Sequence, residues 1–320
     1  MNKAPAISIC IPAYKNQAYV KRLLDSVAAQ QFRDFEVVIT DDSPDNELRE
    51  LAEAFNASFQ VLYHKNEQPL GSPANWNKAI ALASGAWIKI MHDDDWFATA
   101  QSLGFFYEAT LSSNANFIFS GFINQELDTG QQHPFVISAM DEQLLRRNPL
   151  YLFRTNYIGH PSTTLIRNKR TEWFDEQVKW VVDIEFYMRL LREEHSFFAI
   201  KEPLVCIGVG AEQITKQAFR NPAIEIPENL YLLQKLGIGC LKYVFVYDYY
   251  WRLVRNLQLK SSAEMEQYLA GSSVPVPVQQ MIRLQQKLGQ GWLKKSGVYS
   301  KVGMIFGYVS ERLSNLFLSY

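Results

Sequence analysis

Apolar and polar positions alternate through the first hundred residues in short blocks of two different periods. Ile7-Ser8-Ile9-Cys10-Ile11 alternates as a strand does and is stopped by Pro12. Val20, Leu23, Leu24 and Val27 then recur at helical spacing behind Asn16, a residue able to cap the helix. The same reading predicts strands at 35–39, 59–63 and 86–91, with helices at 47–55 and 74–83, the latter closing at Gly85. Strand and helix in alternation at this spacing predict a mostly parallel α/β sheet. Beyond Phe97 the alternation weakens to strands at 117–122 and 162–166, a hairpin or loop at 125–133 around Asp128-Thr129-Gly130, and a helix at 182–194. From about Asn221 the pattern is helical and aromatic, with a break at Ser272-Ser273-Val274-Pro275-Val276-Pro277. In the closing segment Val298, Val302, Ile305, Phe306, Val309, Leu313, Leu316 and Phe317 fall on one helical face.

Composition changes this picture little. With 320 residues, 48% of them hydrophobic and 20% charged, the chain can bury a large core in one large domain or two smaller ones. A net charge of −1 offers no argument for nucleic-acid binding. The charge is unevenly spread: residues 229–320 hold 11 Lys+Arg and 4 Asp+Glu, a balance of +7 that leaves −8 for residues 1–228. With Lys294, Lys295, Lys301 and Arg312 near its apolar face, the closing helix could lie in an anionic membrane surface, pack on the rest of the protein, or form a homodimer contact. Cys10, Cys206 and Cys240 are too scattered for a metal site or a disulfide framework. Neither a signal-peptide pattern at the start nor a run of roughly 18 uncharged apolar residues is found. The expectation is a cytoplasmic protein, working free or at the inner face of the plasma membrane.

The chemistry gathers at strand ends. In open α/β sheets ligands bind beyond the carboxyl ends of the strands. Three predicted strands end in Pro12-Ala13-Tyr14, Asp41-Asp42-Ser43 and Asp93-Asp94-Asp95. Adjacent carboxylates repel one another unless solvent or a cation intervenes, and oxygen ligands suit Mg²⁺ or Mn²⁺ held together with substrate phosphates. Asp183 and Glu185 stand at the start of the 182–194 helix, where acids either complement the helix dipole or supply a general base.

In this order the motifs resemble the family 2 glycosyltransferases, inverting enzymes of GT-A fold, over roughly residues 5–215. The stretches that carry the resemblance are Ile9-Cys10-Ile11-Pro12-Ala13-Tyr14-Lys15-Asn16, Thr40-Asp41-Asp42-Ser43, and Gly71-Ser72-Pro73-Ala74-Asn75-Trp76-Asn77-Lys78-Ala79 with Ala83-Ser84-Gly85. To these are added His92-Asp93-Asp94-Asp95-Trp96, similar to the family's DXD motif, and Trp173-Phe174-Asp175-Glu176 with Val182-Asp183-Ile184-Glu185-Phe186. Val182 stands where the family often has Glu.

The resemblance implies a Rossmann-like, mostly parallel mixed sheet flanked by helices, occupying residues 1–220. Its nucleotide-sugar half would be about 1–98 and its acceptor half about 99–220, with a helical extension at 221–320. It implies that Pro12, Ala13, Tyr14, Asp41 and Asp42 face a nucleotide, with Asn75, Lys78, Asp93 and Asp94 around it; for Asn75 and Lys78 helix packing is the equal alternative. It implies Mn²⁺ or Mg²⁺ held by Asp93, Asp94 and Asp95. Asp95 would be the direct ligand beside Asp93, or else His92 begins the motif and the ligand moves to Asp94. Asp183 would be the base, with Glu185 supporting it or touching the acceptor. Gln213 and Thr215 are the nearest polar residues for a pyrophosphate. The implied activity is transfer of a sugar from a nucleotide-sugar, UDP-linked by expectation, to a saccharide or lipid-linked saccharide of a cell-surface polysaccharide. The alternatives are a non-catalytic nucleotide-sugar-binding subunit and a nucleotidyltransferase.

Overall fold

A computed structural model of the chain describes residues 4–169, 171–210 and 219–317. It divides into two compact units, Met1–Pro149 with Asn156–Gln213, and Leu150–Thr155 with Ile214–Tyr320. Gln213 and Thr215 lie outside the described residues.

The first unit is built on a nine-stranded mixed sheet. Its strands are β1 (Ile7–Ala13), β2 (Phe35–Asp41), β3 (Val61–Lys65), β4 (Trp87–Ile90), β5 (Trp96–Phe97), β6 (Phe117–Glu126), β7 (Gln132–Phe135), β8 (Thr164–Arg167) and β9 (Phe198–Val209). The order across the sheet is β3-β2-β1-β4-β8-β6-β9-β5, with β7 paired to β6. The β3-β2-β1-β4 half is parallel throughout. β8 runs antiparallel to both β4 and β6, while β9 is parallel to β6. The helices are α1 (Gln17–Ala28), α2 (Glu47–Ala54), α3 (Ala74–Leu82), α4 (Ser102–Ser112), α5 (Ala139–Arg147) and α6 (Val182–Glu194).

β1 and β2 read as alternating or apolar runs because both their faces are covered, and every residue of the two strands is buried. α1 supplies Val20, Leu23, Leu24 and Val27 to a core shared with Ile7, Ile9, Ile11, Val37 and Ile39. The Asn16 side chain accepts from the Tyr19 N–H at 3.2 Å, the cap that the sequence predicts. Gly85 lets the α3–β4 turn lie against β1: a Cβ there would sit 2.6 Å from the Ser8 backbone nitrogen. The turn is locked by Glu36, whose carboxylate accepts from the Ser8 hydroxyl at 2.6 Å and the Ser84 N–H at 2.7 Å.

Strand 3 begins at Val61 rather than at 59, because Phe55–Ala57 continues α2 as a 3₁₀ turn. α4 and α5 are not evident in the sequence pattern. In α4 large apolar residues occupy the whole circumference, with Phe106 buried while Phe105 and Leu111 are exposed, so no single stripe marks it.

The second unit is helical: α7 (Pro222–Leu236), α8 (Val244–Leu257), α9 (Ser262–Glu266), α10 (Val276–Leu288), α11 (Gln290–Lys295) and α12 (Gly297–Phe317). Its centre is the aromatic face of α8, where Tyr247, Tyr250 and Trp251 are buried. Two of the polar tips there are satisfied: the Tyr250 hydroxyl donates to the Asn229 carbonyl at 2.9 Å and the Trp251 indole N–H to Ser300 Oγ at 3.1 Å. No helix among the described residues is long and apolar enough to cross a membrane.

Candidate active site

The parallel register brings the ends of β1, β2 and β4 to one edge. Ala13 pairs with Asp41, and the Asp42 N–H donates to the Ala13 carbonyl at 3.0 Å. The Met91 N–H donates to the Cys10 carbonyl at 2.9 Å, and the Asp93 carboxylate accepts the Tyr14 N–H at 3.1 Å. The three predicted strand ends are therefore joined by hydrogen bonds.

On the β2 side the two aspartates are buried and occupied. Asp41 accepts from Tyr63 Oη at 2.6 Å, Lys65 Nζ at 2.9 Å and the Ser43 N–H at 2.7 Å. Burial alone would raise its pKa, but these bonds outweigh burial and hold the carboxyl below its ordinary value. Asp42 accepts from Asn66 Nδ2 at 2.7 Å and from the N–H groups of Leu70 and Gly71 at 3.0 and 2.8 Å, fixing the loop between β3 and α3. Asn75 joins the same network, donating to the Thr40 carbonyl and accepting from Asn66. Pro12 and Ala13 are buried in β1, Lys78 is half-buried on α3, and Tyr14 turns an exposed ring outward under Lys15 Nζ, 4.8 Å away.

The acidic turn after β4 is different. His92, Asp94 and Asp95 each offer one ligand atom, all within 4.8 Å of one another. Asp95 is buried; its Oδ1 accepts a long 3.3 Å bond from the Gly208 N–H, and among the described residues no hydrogen-bond donor meets its buried Oδ2 and no partner meets His92 Nε2. Burial and the Asp94 charge raise the Asp95 pKa well above its ordinary value, and the same two causes push Asp93 up to about 7. Burial, with His160 and Lys89 close by, pushes His92 down to about 3, so that its imidazole stays neutral, as a metal ligand must be. An orphaned carboxylate oxygen beside a neutral imidazole and a second carboxylate is a donor set that fits Mg²⁺ or Mn²⁺. Asp93, the third aspartate of the predicted metal set, points to Tyr14 instead, and His92 stands in the converging group.

Several residues that sequence reasoning passed over hold this turn. Arg22 lies over the Trp96 ring at 3.8 Å and donates to the Asp94 carbonyl at 2.7 Å. The Ser162 hydroxyl accepts the His92 N–H at 2.9 Å and helps lower the Asp95 pKa, while the Ser162 carbonyl accepts from the buried Lys89 ammonium. Trp76 on α3 packs against His92 with ring centroids 4.6 Å apart. The signal for Ser162 was available in the polar run Gly159-His160-Pro161-Ser162-Thr163 between apolar residues; Arg22, one cation on an exposed helix, gave none.

At the head of α6, Asp183 Oδ2 accepts from Asn156 Nδ2 at 2.8 Å and Oδ1 from the Ile184 N–H at 2.8 Å. Burial raises its pKa against the opposing pull of His160 and these bonds. His160 acts electrostatically on both Asp183 and His92. Glu185, two residues on, faces another way: its carboxylate pairs with Arg189 at 3.0 Å, and Arg189 donates to the Trp173 carbonyl. Asn77 on α3 exchanges two hydrogen bonds with the Phe174 backbone, at 2.8 and 3.1 Å, so the Trp173–Glu176 segment is tied to α3.

Known proteins resemble this chain in sequence and in fold. Residues 8–169 match the family model described as glycosyl transferase family 2. The colanic acid biosynthesis glycosyl transferase WcaA of Escherichia coli, whose name is qualified as putative, is 26% identical over 220 residues, covering 67% of this chain and 77% of its own. Abequosyltransferase RfbV of Salmonella typhimurium is 32% identical over 96 residues, covering 29% of each chain. Among solved structures, Staphylococcus aureus TarS 1–349 in complex with UDP-GlcNAc superposes with a TM-score of 0.57 at 15% identity, covering 94% of this chain and 89% of its own. A mannosyltransferase of Pyrobaculum calidifontis, solved with GDP-Man and Mn²⁺, gives a TM-score of 0.52 at 15% identity, covering 100% and 89%. The mixed sheet flanked by helices is the GT-A fold of these neighbours. With half the chain matched by the family model and the sheet matched by its structures, the protein belongs to glycosyl transferase family 2 and is a glycosyltransferase.

Proposed function

We propose that the chain is an inverting glycosyltransferase that moves a sugar from a nucleoside diphosphate, UDP in the first instance, to a hydroxyl of a saccharide or lipid-linked saccharide in surface polysaccharide synthesis. The observation that carries this reading is the Asp95 Oδ2 that meets no donor among the described residues, beside His92 and Asp94, with His160 acting electrostatically on both His92 and Asp183. The relatives named for colanic acid and abequose transfer support the pathway class, and the neighbours bound to nucleotide-sugars support the donor class.

His92, Asp94 and Asp95 would hold Mn²⁺ or Mg²⁺, which as a Lewis acid offsets negative charge developing on the departing diphosphate. Tyr14 offers an exposed ring for the base, and Asp41, Asp42 and Asn75 fix the strand end and loop that border it. Asp183 takes the proton of the acceptor hydroxyl through one carboxylate oxygen. Asn156 and the Ile184 N–H orient that carboxylate, and burial keeps its basicity above that of a solvated aspartate. A single displacement with this base inverts the anomeric carbon, and no protein nucleophile is called for. Arg22 and Ser162 keep the acidic turn in place from either side.

The test is release of nucleoside diphosphate from a panel of UDP-, GDP- and dTDP-sugars with hydroxyl acceptors, with Mn²⁺ and with a chelator. Transfer that needs Mn²⁺ and falls by about 10²–10⁴ in Asp183→Asn is the expected result. Transfer indifferent to both would overturn the reading.

A further inference from the structure

α12 is turned the opposite way from an ordinary covering helix. The face it presents to its own unit is narrow and mostly small: Ser300, Gly303 and Gly307 are buried there against α8 and α10, with Met304 the one long buried side chain among them. A Cβ on Gly303 would come 2.7 Å from a Leu288 methyl, and one on Gly307 would come 2.8 Å from the Tyr247 hydroxyl. The packing therefore depends on the absence of side chains there. The bulky apolar residues face solvent instead: Val298 is 77% exposed, Val302 60%, Phe306 62% and Leu313 50%, with Ile305 and Val309 between them. At 3.6 residues per turn these six fall within an arc of about 100°, opposite the glycines. Trp292, on the short helix before it, is 70% exposed. So large a contiguous apolar face on a surface marks an interaction site.

The charges around it choose the partner. Lys294 and Lys295 are exposed beside Trp292, and Lys301 and Arg312 lie along one margin of the apolar arc. The sole carboxylate in residues 289–317 is Glu311, which is buried and paired with Arg312 at 2.9 Å. Lys301 pairs with Asp248 of α8 at 3.0 Å, which leaves Lys294 and Lys295 as the cations that a second copy meeting this face would set against their own counterparts. An anionic lipid surface supplies both an apolar boundary for Val302 and Phe306 and phosphates for the lysines.

We infer that α11 and α12 form a docking face for the surface of an anionic membrane, with α12 lying in the headgroup plane. Its residues are remote in sequence from those of the proposed transfer reaction, and the inference does not depend on that reading.

The full chain is sedimented with phosphatidylcholine vesicles and with vesicles that also contain phosphatidylglycerol. Binding is expected to the anionic vesicles and to fade as salt is raised. The exposed pair Val302→Ser with Phe306→Ser should weaken it roughly tenfold at unchanged melting temperature, and Lys294→Glu with Lys295→Glu should abolish the preference for anionic lipid. A second apolar pair, Ile305→Ser with Val309→Ser, provides the same reading if the first does not fold. Equal binding to both vesicles, binding to neither, or binding untouched by either apolar pair overturns the inference. So does a dimer in sedimentation velocity that Phe306→Ser dissolves, since the face would then belong to a second copy.

Discussion

Lys89 is the least expected residue of β4: a lysine with 0% exposure between Ile88 and Ile90, in the strand that leads to the acidic turn. Its ammonium donates to the Ser162 carbonyl and lies 4.7 Å from the centre of the Phe106 ring. Burial pushes its pKa down from 10.5 to about 7, against the opposing pull of the Asp95 charge. A base whose pKa is depressed in the fold binds fewer protons there than in the unfolded chain between pH 7 and 10.5. Stability should therefore rise with pH across that window and lie lowest below it. At 1.36 kcal/mol per pH unit, the depression corresponds to at most about 5 kcal/mol. Lys89→Met keeps the length of the side chain and removes the charge, but leaves the buried Ser162 carbonyl without its donor, at a cost of about 1–3 kcal/mol. At pH 6 the variant should be the more stable protein by about 2–4 kcal/mol, taking these terms together. At pH 10, where the lysine of the native fold is already neutral, the variant should be the less stable by the lost hydrogen bond alone. Urea unfolding of both proteins at pH 6, 7, 8, 9 and 10 would show the crossover. A difference in stability that stays flat with pH would mean that Lys89 is charged in the fold at ordinary pKa, and the reasoning would fail.

Asn156→Ala removes the amide that favours the ionised Asp183, so the acidic limb of the transfer rate should move to higher pH. A limb that stays in place in kcat/KM profiles would separate Asp183 from the base role. Gly208→Ala would place a Cβ 2.5 Å from the Asp94 carbonyl and 3.3 Å from the Arg22 guanidinium. The clash should cost about 1–3 kcal/mol in thermal unfolding and weaken Mn²⁺ binding measured by calorimetry, since the turn itself must shift. Unchanged Mn²⁺ affinity would disconnect β9 from the metal group.

The parallel β3-β2-β1-β4 half of the sheet was legible because strand and helix there have clean periods. α1 and α6 occupy the positions that their apolar spacing predicts, α6 over Val182–Glu194, and the hairpin around Gly130 is present as the β6–β7 turn, with φ at +72°. Past Phe97 the physical signal is different in kind. β9 holds Pro203 within its span and shifts register against β6 around Gly121, so its side chains do not keep a single alternation. The helices of the second unit were visible as helical, yet the orientation of α12 was not: a pattern shows that one face is apolar and is silent on whether that face or the glycine face turns inward.

For the site, spacing picked out strand ends that the fold does bring together, but it could not tell which carboxylates the fold would fill. Asp41, Asp42, Asp93, Asp94, Asp95, Asp183 and Glu185 are alike on paper. In the fold Asp42 spends its oxygens on three donors that hold a loop, Glu185 is neutralised by Arg189, and Asp93 caps the end of β1 through Tyr14. Asp95 alone among these is buried with an oxygen that meets no donor among the described residues. Leaving such a group unpaired is costly to folding, so Asp95 is the acid of this set that the described residues leave open to a ligand. That accounting sets it apart from the acids whose oxygens the fold has filled. It needs partners and burial, quantities fixed by residues as distant as Gly208 and Ser162, and these are what a linear reading of Asp93-Asp94-Asp95 lacks.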